Sequence, residues 1–248
     1  MSKVLVVTGG GRGIGAATAL LAAKRGYAVA VNYVKNSDAA DRVVEKIANG
    51  GGKALAVAAD VAEEEDVVAM FAETDRMLGR VTALVNNAGI VERRSRVEDM
   101  SAERIQRMLA VNVTGSFLCA REAVKRMSRR NGGSGGAIVN VSSVAARFGG
   151  PGDYVDYAAS KGAIDTFTIG LAKEVGGEGI RVNAVRPGVI RTEIHASSGD
   201  PGRVERIAAS TPLLRAGEAD EIARSIVWLL SDEASYITGA LLDVSGGR

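Results

Sequence analysis

Short runs of apolar and β-branched residues alternate along this chain with longer stretches whose apolar positions recur at helical spacing. That alternation is the signature of βαβ units built around a parallel sheet. The first run, Val4–Thr8, is apolar up to its threonine, as expected of a strand buried on both faces. A helix is expected over Gly13–Arg25, a strand over Ala28–Tyr33, and a helix over Asp38–Ala48 capped by Ser37 or Asp38. Lys53–Ala59 is the third expected strand. Glu63–Leu78 follows as a helix with acidic residues in its first turn, where the positive end of the helix dipole favours them. Ala83–Asn86 begins a fourth strand, and helical stretches follow near 101–110 and 114–130. Strands at Ala137–Val141, Arg181–Val185 and Ala240–Val244 then alternate with helices near 155–175 and 219–230. Neither a Pro-rich linker nor an internal repeat divides the series, and Asn131–Gly136 (NGGSGG) suits a tight helix-to-strand connection. The pattern predicts one doubly wound α/β domain over residues 1–248, with about seven parallel strands and helices on both faces.

Open sheets of this kind bind ligands beyond the carboxyl ends of their strands. Immediately after the first strand comes TGGGRGIG, Thr8 to Gly15, opening into a helix. Glycines allow a tight turn and close approach of backbone to phosphate, and the helix N-terminus adds N–H groups and positive dipole. The literal G-x-G-x-x-G fingerprint is absent; Gly9, Gly13 and Gly15 form a G-x-x-x-G-x-G variant, with Arg12 and Ile14 between them. No Lys-Ser/Thr follows, which argues against a P-loop and for a Rossmann-type dinucleotide site. The end of the second strand bears on which dinucleotide. It reads Asn32-Tyr33-Val34-Lys35, without an acid until Asp38, so nothing there is placed to accept the 2′-hydroxyl of NAD. Arg12 and Lys35 are the cations suited to a 2′-phosphate, so NADP(H) is favoured over NAD(H).

Tyr157 and Lys161, in the segment YAASK, stand four residues apart, a spacing that puts both on one helix face. A phenol ordinarily titrates near pH ~10. A nearby ammonium favours the phenolate, which suits an acid/base group working near neutrality.

Composition narrows the possibilities without adding new ones. The chain of 248 residues is 46% hydrophobic and 24% charged, with a formal net charge of +2, too small to argue for nucleic acid or an anionic membrane. Arg-rich stretches such as 93–96 and 126–130 lack interleaved aromatics and read as solvated faces. The single cysteine, Cys119, excludes an internal disulfide and a cysteine-based metal site, and it is expected as a buried packing residue. No apolar stretch reaches the ~20 residues that span a bilayer. A strand within three residues of the N-terminus leaves no room for a signal peptide, so a cytoplasmic protein without a metal is expected.

With TGGGRGIG, NNAG (Asn86–Gly89), Asn112, the Ser142-Ser143 pair, YAASK and Pro187-Gly188 in this order, the chain resembles the short-chain dehydrogenase/reductases. The resemblance runs from Lys3 to the C-terminal ITGALLDVSGG, and it is greatest to glucose/ribitol dehydrogenase-like and β-ketoacyl carrier-protein reductase-like members. It implies that Tyr157 exchanges a proton with the substrate oxygen. Lys161 would tune that tyrosine and bond the nicotinamide ribose, Ser143 would hold the substrate oxygen, and Asn112 would support a proton path behind Lys161. Ser143 precedes Tyr157 by fourteen residues rather than the more usual thirteen, which keeps Ser142 as the alternative. For the cofactor it implies Asp60 and Val61 beside the adenine, and Asn87, Ala88 and Gly89 along the ribose. Pro187, Gly188, Val189 and Thr192 would surround the nicotinamide amide and pyrophosphate.

Substrate identity is expected to reside in Val91–Arg96, Ala145–Asp156 and a lid over 190–211. The lid contains the only histidine, His195, which reads as a lid or surface residue. Asp153, Tyr154 and Asp156 either hydrogen-bond a polyol or serve the turn. The first functional expectation is a carbonyl/alcohol oxidoreductase acting on a sugar, polyol or small ketone. A β-ketoacyl carrier-protein reductase is the second, with Arg129 and Arg130 as a possible carrier dock. A non-catalytic dinucleotide sensor is the third. The resemblance also implies a homotetramer assembled through the helices near 112–130 and 155–175.

Overall fold

The computed structural model describes residues 3–193 and 202–248; His195 and the centre of the expected lid lie outside them. Seven parallel strands form one sheet: β1 (Lys3–Val7), β2 (Tyr27–Tyr33), β3 (Ala54–Ala58), β4 (Ala83–Asn86), β5 (Gly136–Val141), β6 (Ile180–Pro187) and, after two short strands, β9 (Leu241–Val244). Their order is β3-β2-β1-β4-β5-β6-β9. The chain winds outward from β1 to β3 and then restarts on the other side at β4. The switch point between β1 and β4 therefore opens a crevice at the carboxyl ends.

The alternation of side chains along β1 shows why its sequence is apolar from Val4 to Val7. Leu5 and Val7 join one core with Val29, Val31, Val85, Val139 and Ile226. Val4 and Val6 face the opposite core with Phe71, Leu84, Ile138 and Val182. Helices α1 (Gly13–Lys24), α2 (Ser37–Asn49) and α9 (Ala219–Leu230) cover the first face. Helices α3 (Glu64–Leu78), α5 (Gly115–Met127) and α7 (Val155–Val175) cover the second. Each fully buried Leu, Ile or Phe in these layers stabilises the fold by about 1.5–3 kcal/mol. Cys119 sits in the second core, fully buried, and burial pushes its thiol up to about 12. It is a packing residue.

Differences from the sequence pattern are local and have visible causes. The cap of α2 is Asn36 rather than Ser37 or Asp38: its Oδ1 accepts the Ala39 N–H at 3.0 Å and draws Ser37 into the first turn. The break expected near 111–113 is a π-helical turn, Ala110–Thr114, joining α4 (Ala102–Leu109) to α5 without interruption. Four short elements escaped the pattern because they are too brief to show a period: α6 (Ala145–Phe148), β7 (Ile190–Arg191), α8 (Arg203–Ala208) and β8 (Gly217–Glu218), which pairs with β7. Among the described residues no helix is long and apolar enough to cross a membrane.

Candidate active site

A cavity of about 1330 Å³ follows the carboxyl edge of the sheet, from the loop after β2 to the start of α7. At one end it is lined by Tyr33, Lys35, Asp60 and Val61. Lys35 is exposed, and Asp38 does not reach the cavity. Asn32 lines it only through a buried, fully committed amide. Its Oδ1 accepts the Gly9 N–H at 3.1 Å and its Nδ2 donates to the Ala59 carbonyl at 2.9 Å. The Asn32 side chain, expected as a cofactor contact, also tethers the glycine loop to the end of β3.

The glycine loop fits a diphosphate. Gly9 and Gly13 have positive φ, 61° and 52°, which turns the chain sharply from β1 into α1. Arg12 stands at the N-cap of α1 without a side-chain cap bond, and the first turn holds no acid. The leading N–H groups of α1 therefore face a cavity lined by Arg12, Gly13, Ile14 and Thr192, a ready anion site. Arg12 is exposed and lies 3.7 Å from Glu193. Gly15 serves differently from expectation: it does not line the cavity but packs against the back of the loop. A Cβ there would fall 2.4 Å from the Gly9 carbonyl oxygen and 2.6 Å from Asn87 Nδ2.

Asn87, Ala88 and Gly89 continue the lining beyond β4. Thr8 Oγ1 accepts the N–H groups of Asn87 (2.9 Å) and Ala88 (3.0 Å), while Asn87 Nδ2 donates back to the Thr8 carbonyl at 2.8 Å. These long-range bonds lock the first and fourth strand ends together. Pro187, Gly188 and Val189 line the opposite wall, beyond β6.

Ser143, Tyr157 and Lys161 share the remaining wall. Ser143 Oγ accepts the Ala145 N–H at 3.1 Å, a local turn that leaves its hydroxyl proton free for a ligand oxygen. Ser142 is buried and donates to the Lys161 carbonyl at 3.1 Å, so the two serines have divided roles. Lys161 is buried, donates to the Val141 carbonyl at 2.7 Å, and stands 5.7 Å from the Tyr157 ring centroid. Burial draws its ammonium down to about 8, against the opposing charge of Asp165.

Asn112 does not line the cavity. Its Oδ1 accepts the Ile90 N–H at 2.8 Å, and its Nδ2 donates to the Ile90 carbonyl at 3.0 Å and to Ser160 at 3.1 Å. Seated in the π turn, it clamps the chain beyond β4 against α7. It stands behind Gly89, at which a Cβ would lie 3.4 Å from Asn112 Oδ1 and 3.5 Å from Lys161 Nζ.

At the other end of the cavity the acids are held by arginines. Asp156 is held by Arg104 at 2.8 Å and accepts the Tyr157 N–H at 2.9 Å, so it fixes the first turn of α7. Asp153 is taken by Arg94 at 2.6 Å. Neither arginine is marked as a partner in the sequence, because nothing local links them to acids more than fifty residues away. Ile90, Val91, Val144, Phe148 and Tyr154 also line this end, together with Arg94, Arg107 and Arg206. Arg129 and Arg130 follow α5 and precede β5, at the amino end of the sheet, away from the cavity mouth. They are not placed to dock a carrier there.

Comparison with known proteins agrees with this geometry. The family model described as enoyl-(acyl carrier protein) reductase matches residues 9–248. The chain is 60% identical over 245 residues to an uncharacterized oxidoreductase of Escherichia coli strain K12, covering 99% of both. It is 40% identical over 247 residues to a 3-oxoacyl-(acyl-carrier-protein) reductase of Synechocystis, covering 99% of this chain and 96% of the other. Among solved structures, a short-chain dehydrogenase/reductase from Serratia marcescens matches with a TM-score of 0.91 at 34% identity, over 100% of this chain and 98% of that one.

Proposed function

The chain belongs to the short-chain dehydrogenase/reductase family, whose members use a nicotinamide dinucleotide, and from that premise we propose that it is an NADP(H)-dependent oxidoreductase interconverting a carbonyl and an alcohol. The observation that carries this reading is one continuous cavity with the uncapped N-terminus of α1 in one part and Ser143, Tyr157 and Lys161 in another. The nicotinamide, when bound, supplies or accepts the hydride. The chain's own residues handle the oxygen and the proton. In reduction, the Ser143 hydroxyl donates to the carbonyl oxygen and orients it. Tyr157 gives that oxygen its proton as negative charge develops there, and the nearby Lys161 ammonium favours the resulting phenolate.

Lys161 supplies that charge only while protonated. The ammonium is complete well below pH 8 and is lost as pH rises through about 8, so the rate of reduction should fall along the alkaline side.

The cofactor preference is supported by Lys35 and Arg12 on the cavity and by the lack of an acid at the end of β2. We expect NADPH to bind more tightly than NADH in a fluorescence titration, followed by consumption of NADPH at 340 nm with a panel of carbonyl compounds. Equal affinity for both would overturn the preference. The arginine-held Asp153 and Asp156, beside Val91, Val144 and Phe148, favour a small ketone or aldehyde over a sugar or polyol.

Assembly as a homotetramer is part of the same proposal. Outward faces of α4, α5 and α7 expose Ile105, Leu109, Phe117 and Ile169, an apolar surface that a second copy would cover. Phe117 stacks on Phe167 with ring centroids 3.8 Å apart. Static light scattering should give four times the chain mass, and Phe117→Glu should halve it. A monomeric wild-type protein would refute the assembly.

A further inference from the structure

On α7 the positions 157, 161 and 165 fall one turn apart on a single face, so the line through Tyr157 and Lys161 continues to Asp165. The Asp165 side chain is only 14% exposed and meets charge from other elements. Arg186 of β6 places Nε 3.1 Å from Asp165 Oδ2 and Nη1 3.4 Å from Asp243 Oδ1 of β9. Asp243 in turn pairs with the exposed Arg147 of α6. Charges therefore alternate from the buried lysine to solvent: Lys161, Asp165, Arg186, Asp243, Arg147.

Two details bear on how Asp165 and the lysine, one turn apart on α7, relate. The Oδ1 of Asp165 is buried and has no hydrogen-bond partner among the described residues, while the Ser142 hydroxyl, which donates to the Lys161 carbonyl, stands near enough to draw the carboxyl down. A buried anionic oxygen left unbonded is costly unless a charge offsets it. Meanwhile the ammonium of Lys161 has the Val141 carbonyl as its hydrogen-bond acceptor and no carboxylate within ion-pair distance among the described residues. The uncharged Gly89 and Asn112 stand near it, a Cβ at Gly89 falling 3.5 Å from Lys161 Nζ.

We propose that Asp165 is a positioning residue for the Tyr157–Lys161 pair: its carboxylate, braced by Arg186, sustains the positive charge on Lys161 from one turn behind the site. The proposal rests on reading Lys161 as the group that governs the tyrosine's proton. Burial pulls the lysine down to about 8, and Asp165 is the charge that opposes this. The carboxyl of Asp165 is itself raised by burial and by Asp243, and lowered by Ser142 and Arg186. Removing its charge would let Lys161 lose its proton at lower pH.

The test is an NMR titration of the Lys161 ammonium in cofactor-free protein labelled at lysine Cε and Nζ, assigned through Lys161→Arg. We expect a midpoint near 8 in the wild type, lower by about one unit in Asp165→Asn, and restored toward the wild type in Asp165→Glu. If Asp165→Asn does not fold for want of a partner to Arg186, Asp165→Asn/Arg186→Gln removes both charges and should show the same direction of shift. An unchanged midpoint in a folded variant lacking the Asp165 charge overturns the proposal. Because this measurement needs no turnover, a wild type that reduces no carbonyl would count against the functional reading alone. Where turnover is found, the alkaline limb of kcat should move by the same amount.

Discussion

Tyr157→Phe is expected to abolish useful turnover while leaving NADPH binding nearly intact. The substitution removes one oxygen from a side chain that lines the cavity and otherwise preserves the ring and its packing. What is lost is the phenol that stands beside the Lys161 ammonium, the group best suited among the described residues to give a proton to the carbonyl oxygen. Ser143 can donate a hydrogen bond, but a serine hydroxyl is far too weak an acid to surrender its proton near neutrality. The Lys161 ammonium, though part of the same wall, is engaged by the Val141 carbonyl 2.7 Å away. Loss of a positioned general acid typically costs about 10²–10⁴-fold, and we expect kcat to fall within or beyond that range. The glycine loop, which would hold the diphosphate, lies on separate elements and should be undisturbed. Fluorescence titration with NADPH and a thermal melt check both halves; wild-type activity in the variant would sink the mechanism.

The features legible in the sequence were those written over short distances. Continuous apolar character marked β1, a spacing of four marked Tyr157 and Lys161, and a cluster of glycines marked the turn into α1. Each depends on residues within a turn or two of one another. The features that escaped depend on partners brought together by the sheet. Asn32 reads as a cofactor contact at a strand end, yet its amide is consumed by Gly9 and Ala59, carried there by β1 and β3. Asp156 reads either as a polyol contact or as a turn residue, and only the fold shows that Arg104, on α4, holds it. Asn112 falls in a break of helical period, and only the fold reveals that the break is a π turn that lets its amide pair with the Ile90 backbone. The 157, 161, 165 face was present in the sequence all along. Without Arg186 and Asp243 beside it, Asp165 looks like any helix acid.

Gly15→Ala should do the reverse of Tyr157→Phe, weakening cofactor binding and the fold while sparing the chemistry. An added Cβ would lie 2.4 Å from the Gly9 carbonyl oxygen, 2.6 Å from Asn87 Nδ2 and 3.0 Å from Gly10 Cα. A methyl has no rotamer with which to escape, and the two nearest neighbours are themselves fixed. Asn87 Nδ2 donates to the carbonyls of Thr8 and Gly9, at 2.8 and 3.1 Å. The relief must therefore come from moving the loop away from α1, which breaks that bridge and spoils the anion site. Overpacking of this kind costs about 1–3 kcal/mol, and in a chain of this size each kcal/mol lowers Tm by roughly 2–4 °C. We expect a Tm drop of that order and an NADPH Kd raised at least tenfold, with kcat at saturating NADPH reduced far less than in Tyr157→Phe. Gly177→Ala is the control, because a Cβ there meets nothing within 4 Å and the residue is exposed; its effect should stay within about 0.5 kcal/mol. If Gly15→Ala bound NADPH as tightly as the control, the glycine loop would not be the cofactor's seat, and the division of the cavity into a binding part and a proton-handling part would fail with it.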